Sequence, residues 1–144
     1  MSTPDWGDGV LIADASAWAR AERPAVRERW EHALRAGRIA TCAITTLELL
    51  RVPRDLPELI ATQTALASLR DIPVTVSVQR AAIGAMTELA AIGPLHHRVP
   101  LPDVLVAAAA QDAGVGVLHY DHHYDRLARV LSFDSRWLAE PGSL

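Results

Sequence analysis

The stretch "GVLIADAS", residues 9–16, decides the fold because a short β-branched apolar run ends at a carboxylate. The apolar run predicts a buried strand that ends at Asp14. After it the apolar residues change to helical spacing, through Trp18 and on past Pro24 to Leu34. We therefore expect a strand followed by a helix, with an acid at the junction.

The same strand and helix arrangement recurs in the next eighty residues. "IATCAI", residues 39–44, predicts a second strand, with Thr45 as the cap of the helix that follows. Further along, the spacing predicts a helix over 56–69, a brief β-like run "VTV" over 74–76, and a helix from about residue 78 to residue 92.

The last third of the chain continues this alternation. "DVLVAAAAQDAG", residues 103–114, predicts a helix that is apolar nearly all round, hence buried, and closed by Gly114. "VGVLHY", residues 115–120, predicts a strand, and residues 121–131 predict a helix. Strands that alternate with helices favour a parallel sheet covered on both faces. The expected fold class is α/β, a three-layer α/β/α sandwich with a central parallel sheet.

Length and composition set the expected organisation. A chain of 144 residues with 50% apolar residues fits a single domain over 1–144, with a loose N-terminal arm over 1–9 and a polar tail over 136–144. The net charge of -3 excludes binding of nucleic acid by overall basicity. The lone Cys42 cannot form an internal disulfide, and no apolar run suits a signal peptide or a membrane span. We expect a cytoplasmic protein with no membrane partner.

Four acids stand where strands end or helices begin. Asp14 and Asp121 follow strands, Glu48 lies just inside the helix after the second strand, and Asp103 opens the apolar helix. Ligands of such sheets gather outside the carboxyl ends of the strands. We therefore expect these four carboxylates to meet at one edge.

Each acid also has a structural explanation. Thr45 and Glu48 fit a capping box, and the other three acids suit helix starts, where a carboxylate contributes about 0.3–1 kcal/mol. Two carboxylates about 5 Å apart would repel by roughly 3 kcal/mol, which exceeds that gain. A true cluster would therefore need a hard divalent cation such as Mg²⁺ or Mn²⁺, with which carboxylates promote phosphodiester hydrolysis.

The acids lie in motifs that resemble those of a known family. "LIADAS", "TTLELL", "RVPLPDVLVAAAA" and "VLHYDHHYDRLA" resemble the four acidic motifs of PIN-domain ribonucleases, and most closely those of VapC toxins from toxin–antitoxin pairs. The resemblance spans about residues 10–134. It implies a Mg²⁺- or Mn²⁺-dependent endoribonuclease that forms a homodimer and is inhibited by a cognate antitoxin. It also implies that Asp14, Glu48, Asp103 and Asp121 are the catalytic metal ligands.

Two other functions are weighed against the ribonuclease. In a non-catalytic α/β interaction module the same acids would only cap helices. A phosphatase with an aspartyl nucleophile would need a second aspartate two residues after the first, where this chain has Ser16.

Three further residues are candidates for substrate binding. Ser16 could hydrogen-bond a carboxylate, although a helix cap explains it equally well. Arg98, in the proline-bounded loop "LHHRVP", could contact RNA phosphate or simply be solvated. His119 stands where the family has Ser or Thr, and could contact phosphate, bind metal or form hydrogen bonds inside the site.

The stretch "HYDHHYDRL", residues 119–127, suggests zinc at first sight. Adjacent histidines on a helix point about 100° apart, so His122 and His123 cannot share one ion, and we expect them to flank Asp121 or face solvent. Asp125 could be an outer acid of the site, but the i+4 spacing favours a pair with Arg129.

The helical spacing of Trp18 and Trp30 favours core or dimer contacts over base stacking.

Overall fold

The computed structural model describes residues 3–144 and contains a five-stranded, all-parallel sheet. The strands are β1 (Leu11–Ala13), β2 (Ile39–Cys42), β3 (Arg70–Ile72), β4 (Gly116–His119) and β5 (Ser135–Trp137). Their order across the sheet is β3-β2-β1-β4-β5, and every neighbouring pair is parallel. Strands β2 and β3 lie on one side of β1, and β4 and β5 lie on the other. This change of side leaves a crevice at the carboxyl ends of β1 and β4.

Helices cover both faces of the sheet. They are α1 (Ala15–Trp18), α2 (Arg27–Arg35), α3 (Ala43–Leu49), α4 (Leu56–Ala67), α5 (Val76–Ile92), α6 (Leu101–Ala113) and α7 (His123–Leu127). Alternate residues of β1 enter two separate cores, Ile12 on the face of α5 and α6 and Leu11 on the face of α1 and α2. The expected three-layer α/β/α sandwich is confirmed.

Helix α6 is the buried centre of one layer. Its residues from Val106 to Ala110 have no exposed surface, as the all-round apolar pattern predicted. Alanine side chains let the helix lie close to the sheet, and Gly114 ends it in the left-handed region at φ 68°. This packing fixes the start of α6, and with it Asp103, against the carboxyl edge.

Three local predictions are wrong. The helix expected to run past Pro24 is two helices, α1 and α2, joined by turns, because proline lacks an N–H and disfavours helix before it. β3 precedes Pro73, and Thr75 of "VTV" instead caps α5 by accepting from the Val78 N–H at 3.2 Å.

The third wrong prediction is that Thr45 caps the helix after β2. It is buried inside α3, which begins at Ala43 after Cys42.

Both chain ends are more ordered than predicted. The first two residues of the predicted polar tail, 136 and 137, belong to β5, which pairs with β4, and the next residue, Leu138, is fully buried. In the arm, Trp6 is only 4% exposed and its Nε1 donates to the Leu138 carbonyl at 3.2 Å. The expectation of a loose arm is therefore wrong for residues 3–9, while residues 1 and 2 lie outside the described part.

No helix within residues 3–144 is both long enough and apolar enough to cross a membrane.

Candidate active site

Asp14 is held at the carboxyl end of β1 by three hydrogen bonds. Its Oδ2 accepts from the backbone N–H of Ser16 at 3.0 Å and from the Ser16 hydroxyl at 2.6 Å. Its Oδ1 accepts from the Tyr124 hydroxyl at 2.7 Å. The carboxylate is 4% exposed. Asp14 therefore caps α1 as expected, but it is also fixed from α7, so its orientation is set before anything binds.

Glu48 does not belong to a capping box. It is the sixth residue of α3, so its side chain is too far along the helix to reach the orphan N–H groups at the start. Its Oε1 is buried and has no hydrogen-bond partner among the described residues. Burial and the charge of Asp14 raise the pKa of Glu48. A buried carboxylate oxygen without a donor is costly, which indicates a place for a cation or a donor from a ligand.

Asp103 is the most perturbed of the four acids. It lies in the first turn of α6 and is 7% exposed. Burial, followed by the charges of Asp14, Asp121 and Glu48, raises the pKa of Asp103 to about 7. The charges of these three acids act on Asp103, which indicates that the four predicted carboxylates lie near one another, and of the four it is Asp103 and Asp121 that come within 4.8 Å of each other together with His123.

Asp121 contributes a turn as well as a charge. Its Oδ1 accepts from the His123 N–H at 3.0 Å, so the two side chains project to the same side. The Nδ1 of His123 lies 2.7 Å from Asp121 Oδ1 and 3.2 Å from Asp103 Oδ2. Neither contact has the alignment of a hydrogen bond. One oxygen of each acid and this nitrogen all lie within 4.8 Å of one another, a spacing that suits a shared ion.

The side chain of His119 has a structural role inside the protein. Its side chain is completely buried, stacked at 4.7 Å on Tyr124. Its Nδ1 accepts from the Asp121 N–H at 3.3 Å, so Nε2 carries the proton and donates to the Ser135 hydroxyl at 2.7 Å. Burial lowers the pKa of His119 to about 4. Direct contact with RNA, one of the roles considered, is wrong for this side chain, and its hydrogen bonds instead join β4 to β5.

The other two substrate candidates differ in their placement. The Ser16 hydroxyl donates to Asp14 and accepts from the Tyr120 N–H at 3.0 Å, so it connects the ends of β1 and β4. Arg98 is exposed in the loop before α6 and has no ion pair among residues 3–144. Ser16 is thus engaged within the protein, whereas the guanidinium of Arg98 is free for a ligand.

Two residues of the site carried no clear signal in the sequence. Tyr124 is fully buried, and its hydroxyl contacts an acid 110 positions away, which no local pattern reports. His123 was expected to flank Asp121 or to face solvent. The spacing Asp-X-His after a strand could have indicated its position, because an Asx turn directs both side chains to one side.

The expected pair of Asp125 with Arg129 is wrong. Asp125 accepts from Trp137 Nε1 at 3.0 Å and lies 3.5 Å from His122 Nδ1. Asp125 therefore contacts His122 and Trp137 of β5, and not Arg129.

Trp30 is 1% exposed and makes an edge contact at 4.7 Å with the half-buried Trp18. For Trp30, the core position favoured by the spacing is confirmed.

A divalent cation fits the donor set at this edge. Asp14, Glu48, Asp103 and Asp121 offer oxygen ligands of the kind that Mg²⁺ and Mn²⁺ prefer. The unpaired Glu48 Oε1 and the raised pKa values of Glu48 and Asp103 show that the cluster lacks positive charge. A bound cation would remove both penalties.

Comparison with known proteins agrees with this geometry. The family model described as PIN domain matches residues 11–130. Ribonuclease VapC18 of Mycobacterium tuberculosis is 38% identical over 94% of this chain and 99% of its own length. Ribonuclease VapC51 of the same organism is 35% identical over 92% and 96%.

Solved structures share the fold at lower identity. DNA-bound VapBC from Salmonella typhimurium has a TM-score of 0.71 and 17% identity, covering 92% of this chain and all of the other. VapBC-5 from Mycobacterium tuberculosis has a TM-score of 0.62 and 21% identity, covering 89% and 98%. The family match and the relatives above 30% identity establish that the chain belongs to the PIN-domain family and, within it, to the VapC group.

Proposed function

We propose that this chain is a metal-dependent endoribonuclease that hydrolyses RNA phosphodiester bonds and acts as the toxin of a toxin–antitoxin pair. The observation that carries the proposal is the convergence of four acids around Asp103, whose pKa is raised to about 7. Such repulsion reduces stability, and a cation bound among the acids would relieve it. The relatives named Ribonuclease VapC support the choice of RNA as the substrate.

The four carboxylates would hold Mg²⁺ or Mn²⁺. The ion, when bound, would neutralise charge on the scissile phosphodiester and make an attacking water more acidic. The role of the protein is to orient the ligands beforehand. Ser16 and Tyr124 fix both oxygens of Asp14, and burial on α6 fixes Asp103. Rigid ligands in a partly dry site strengthen the electrostatic stabilisation of the transition state.

The alternative is an interaction module in which these acids only cap helices. Glu48 lies inside its helix, and its buried Oε1 has no donor, so capping does not explain it. Nor does capping explain why Asp103 is buried beside three other acids. Asp14 and Asp121 each accept a backbone N–H at a helix start, but Glu48 and Asp103 do not. The geometry therefore favours the metal-dependent enzyme.

Substrate RNA would approach over the loop before α6. Arg98 is exposed there, five residues before Asp103, and could pair with a phosphate of the RNA backbone. Ser16 would serve the reaction through Asp14, whose carboxylate it orients. His119 has no part in this contact because it is buried.

An antitoxin partner would fit the groove that begins at Glu48. The groove has a volume of about 1020 Å³, and its walls include Trp18, Leu49, Val52 and Leu66. The Nε1 of Trp18 is buried without an acceptor among the described residues, so a partner carbonyl could satisfy it. A largely apolar segment in this groove would end beside the acids and cover them. The neighbours with the same fold were solved as VapBC complexes.

A homodimer would need a second apolar surface. Val76 and Ile83 lie seven residues apart on one side of α5 and are 59% and 69% exposed. Leu101, at the start of α6, is 68% exposed. None of these three lines the groove, so a second copy and an antitoxin could bind together.

Cleavage of RNA by the purified chain tests the enzymatic proposal. The protein, freed of any antitoxin, is incubated with total RNA in Mn²⁺ or in EDTA, and the 5′ ends of the products are mapped. We expect defined cleavage in Mn²⁺ and none in EDTA or with Asp14→Asn. Circular dichroism of the variant checks its fold. Cleavage that persists in EDTA or in the folded variant would contradict the proposal.

A further inference from the structure

We propose that His123 is a nitrogen ligand of the metal at this site, and that it shifts the preference of the site from Mg²⁺ toward Mn²⁺. The inference rests on the proposed function in taking the acid cluster as the metal site. It adds a ligand that the set of four carboxylates does not include. The neighbouring His122 has no such role.

The backbone directs His123 toward the acids. The bond from its N–H to Asp121 Oδ1, 3.0 Å long, closes a turn at the start of α7. In this turn the imidazole Nδ1 lies 2.7 Å from Asp121 Oδ1 and 3.2 Å from Asp103 Oδ2. Asp121 lies in the turn between β4 and α7, His123 is the first residue of α7, and Asp103 belongs to α6, so the packing of α6 against this turn sets the spacing of the three atoms.

The contacts of His123 with Asp103 and Asp121 are within ion-pair distance, but they are not hydrogen bonds. The Nδ1 atom is buried, and it makes no aligned hydrogen bond to either acid. An imidazole that pointed its proton at these acids would donate to one of them. A nitrogen placed near two carboxylate oxygens without that alignment suits a lone pair that shares an ion with them.

His122 provides an internal comparison. Its side chain is 78% exposed, makes an edge contact with Trp137 at 4.9 Å, and lies 3.5 Å from Asp125. Two adjacent histidines therefore have opposite surroundings, one outside the site and one inside it. This agrees with the divergence of about 100° between neighbouring helical residues.

A nitrogen ligand changes which ion the site selects. Mg²⁺ binds oxygen ligands and retains its waters, so it gains little from an imidazole. Imidazole suits transition metals, and affinity rises from Mn²⁺ onward along the first row. With His123 in place, the site should discriminate against Mg²⁺ more strongly than carboxylates alone would.

The test is ion binding, measured separately from cleavage. Calorimetry gives Kd for Mn²⁺ and for Mg²⁺ with the full chain, with His123→Asn and with the matched control His122→Asn. We expect His123→Asn to weaken Mn²⁺ at least about tenfold and Mg²⁺ by less than about threefold, while His122→Asn changes neither. Pulsed electron paramagnetic resonance of bound Mn²⁺ should show coupling to ¹⁴N that only His123→Asn removes.

The outcomes separate the two proposals. Mn²⁺ affinity and ¹⁴N coupling that survive in His123→Asn would overturn the ligand assignment and leave the ribonuclease untouched. Wild-type protein that shows ¹⁴N coupling and yet cleaves no RNA would overturn the proposed function alone. Absence of Mn²⁺ binding in the wild type would overturn both. Because His123 is 39% exposed at its side chain, the variant should fold, which circular dichroism checks.

Discussion

The N-terminal arm and the acid cluster differ in whether the protein itself supplies partners for their polar groups. In the arm, residues 4–9, arginines meet carbonyl oxygens: Arg38 donates to those of Trp6, Gly7 and Gly9, and Arg29 donates to that of Pro4 at 2.7 Å. In the cluster, carboxylates face one another, and the pKa values of Glu48 and Asp103 are raised. The arm thus contributes stability, whereas the cluster reduces it.

The contrast shows where function is located in this fold. A group whose partners are all supplied by the protein has nothing left to offer a ligand. The buried Oε1 of Glu48 lacks such a partner, Asp103 lies beside three other acids, and both residues stand at the sheet edge where ligands of parallel sheets bind. Variants in the two regions should therefore separate stability from activity.

The largest effect is expected from the cluster. Asp103→Asn removes one charged ligand at the point of greatest repulsion, so RNA cleavage in Mn²⁺ should fall at least about a thousandfold. Initial rates on an end-labelled RNA measure the loss. The matched control is Asp112→Asn, an exposed acid at the other end of α6, which should retain full activity. Equal losses in the two variants would show that helix α6, and not the charge at the site, is responsible.

The next largest effect is expected from a substitution in the arm. Trp6→Ala removes a side chain that is 4% exposed, stacks under Arg29 at 4.2 Å and donates to Leu138. The free energy of unfolding in urea should fall by about 3–5 kcal/mol. The Kd for Mn²⁺, measured below the unfolding transition, should stay within about twofold, because no ligand contacts the arm. A large change in Kd would mean that the two regions are coupled.

The pH dependence of stability isolates the cost of the cluster. In EDTA, a raised pKa of Asp103 favours the folded state most below the ordinary value of 3.8, and this advantage is lost as pH rises toward about 7. His119 acts in the opposite sense: its lowered pKa favours folding above 6.5, and that advantage is lost as pH falls toward about 4. The two effects partly cancel in the wild type.

Comparison with Asp103→Asn removes the cancellation, because both proteins contain His119. The variant should gain stability over the wild type as pH rises from 4 to 7, by roughly 2–4 kcal/mol, and the gain should level off above pH 7. Urea unfolding at half-unit intervals of pH measures it. A difference that does not change with pH would show that Asp103 titrates normally.

What the sequence could predict follows the same division. Asp14 and Asp121 follow short apolar runs, and Glu48 and Asp103 lie near the starts of helices, so their place at the edge could be predicted from local periodicity and the rules of parallel sheets. The bond from Tyr124 to Asp14 and the bond from Trp6 to Leu138 join distant segments, which local patterns do not encode. The three residues of β5 are too few and too polar to show a strand pattern.

The smallest effect tests how the arm is attached. The guanidinium of Arg38 uses its Nε for the Gly9 carbonyl at 3.1 Å and its Nη2 for those of Trp6 and Gly7. Lysine has the same charge but no planar fork, so Arg38→Lys should lose part of this set and about 1 kcal/mol of unfolding free energy. Urea unfolding in EDTA measures the loss, and Arg23→Lys at an exposed position is the control. If Arg38→Lys matched the wild type, charge alone would hold the arm, and the geometric matching that distinguishes it from the cluster would not matter for stability.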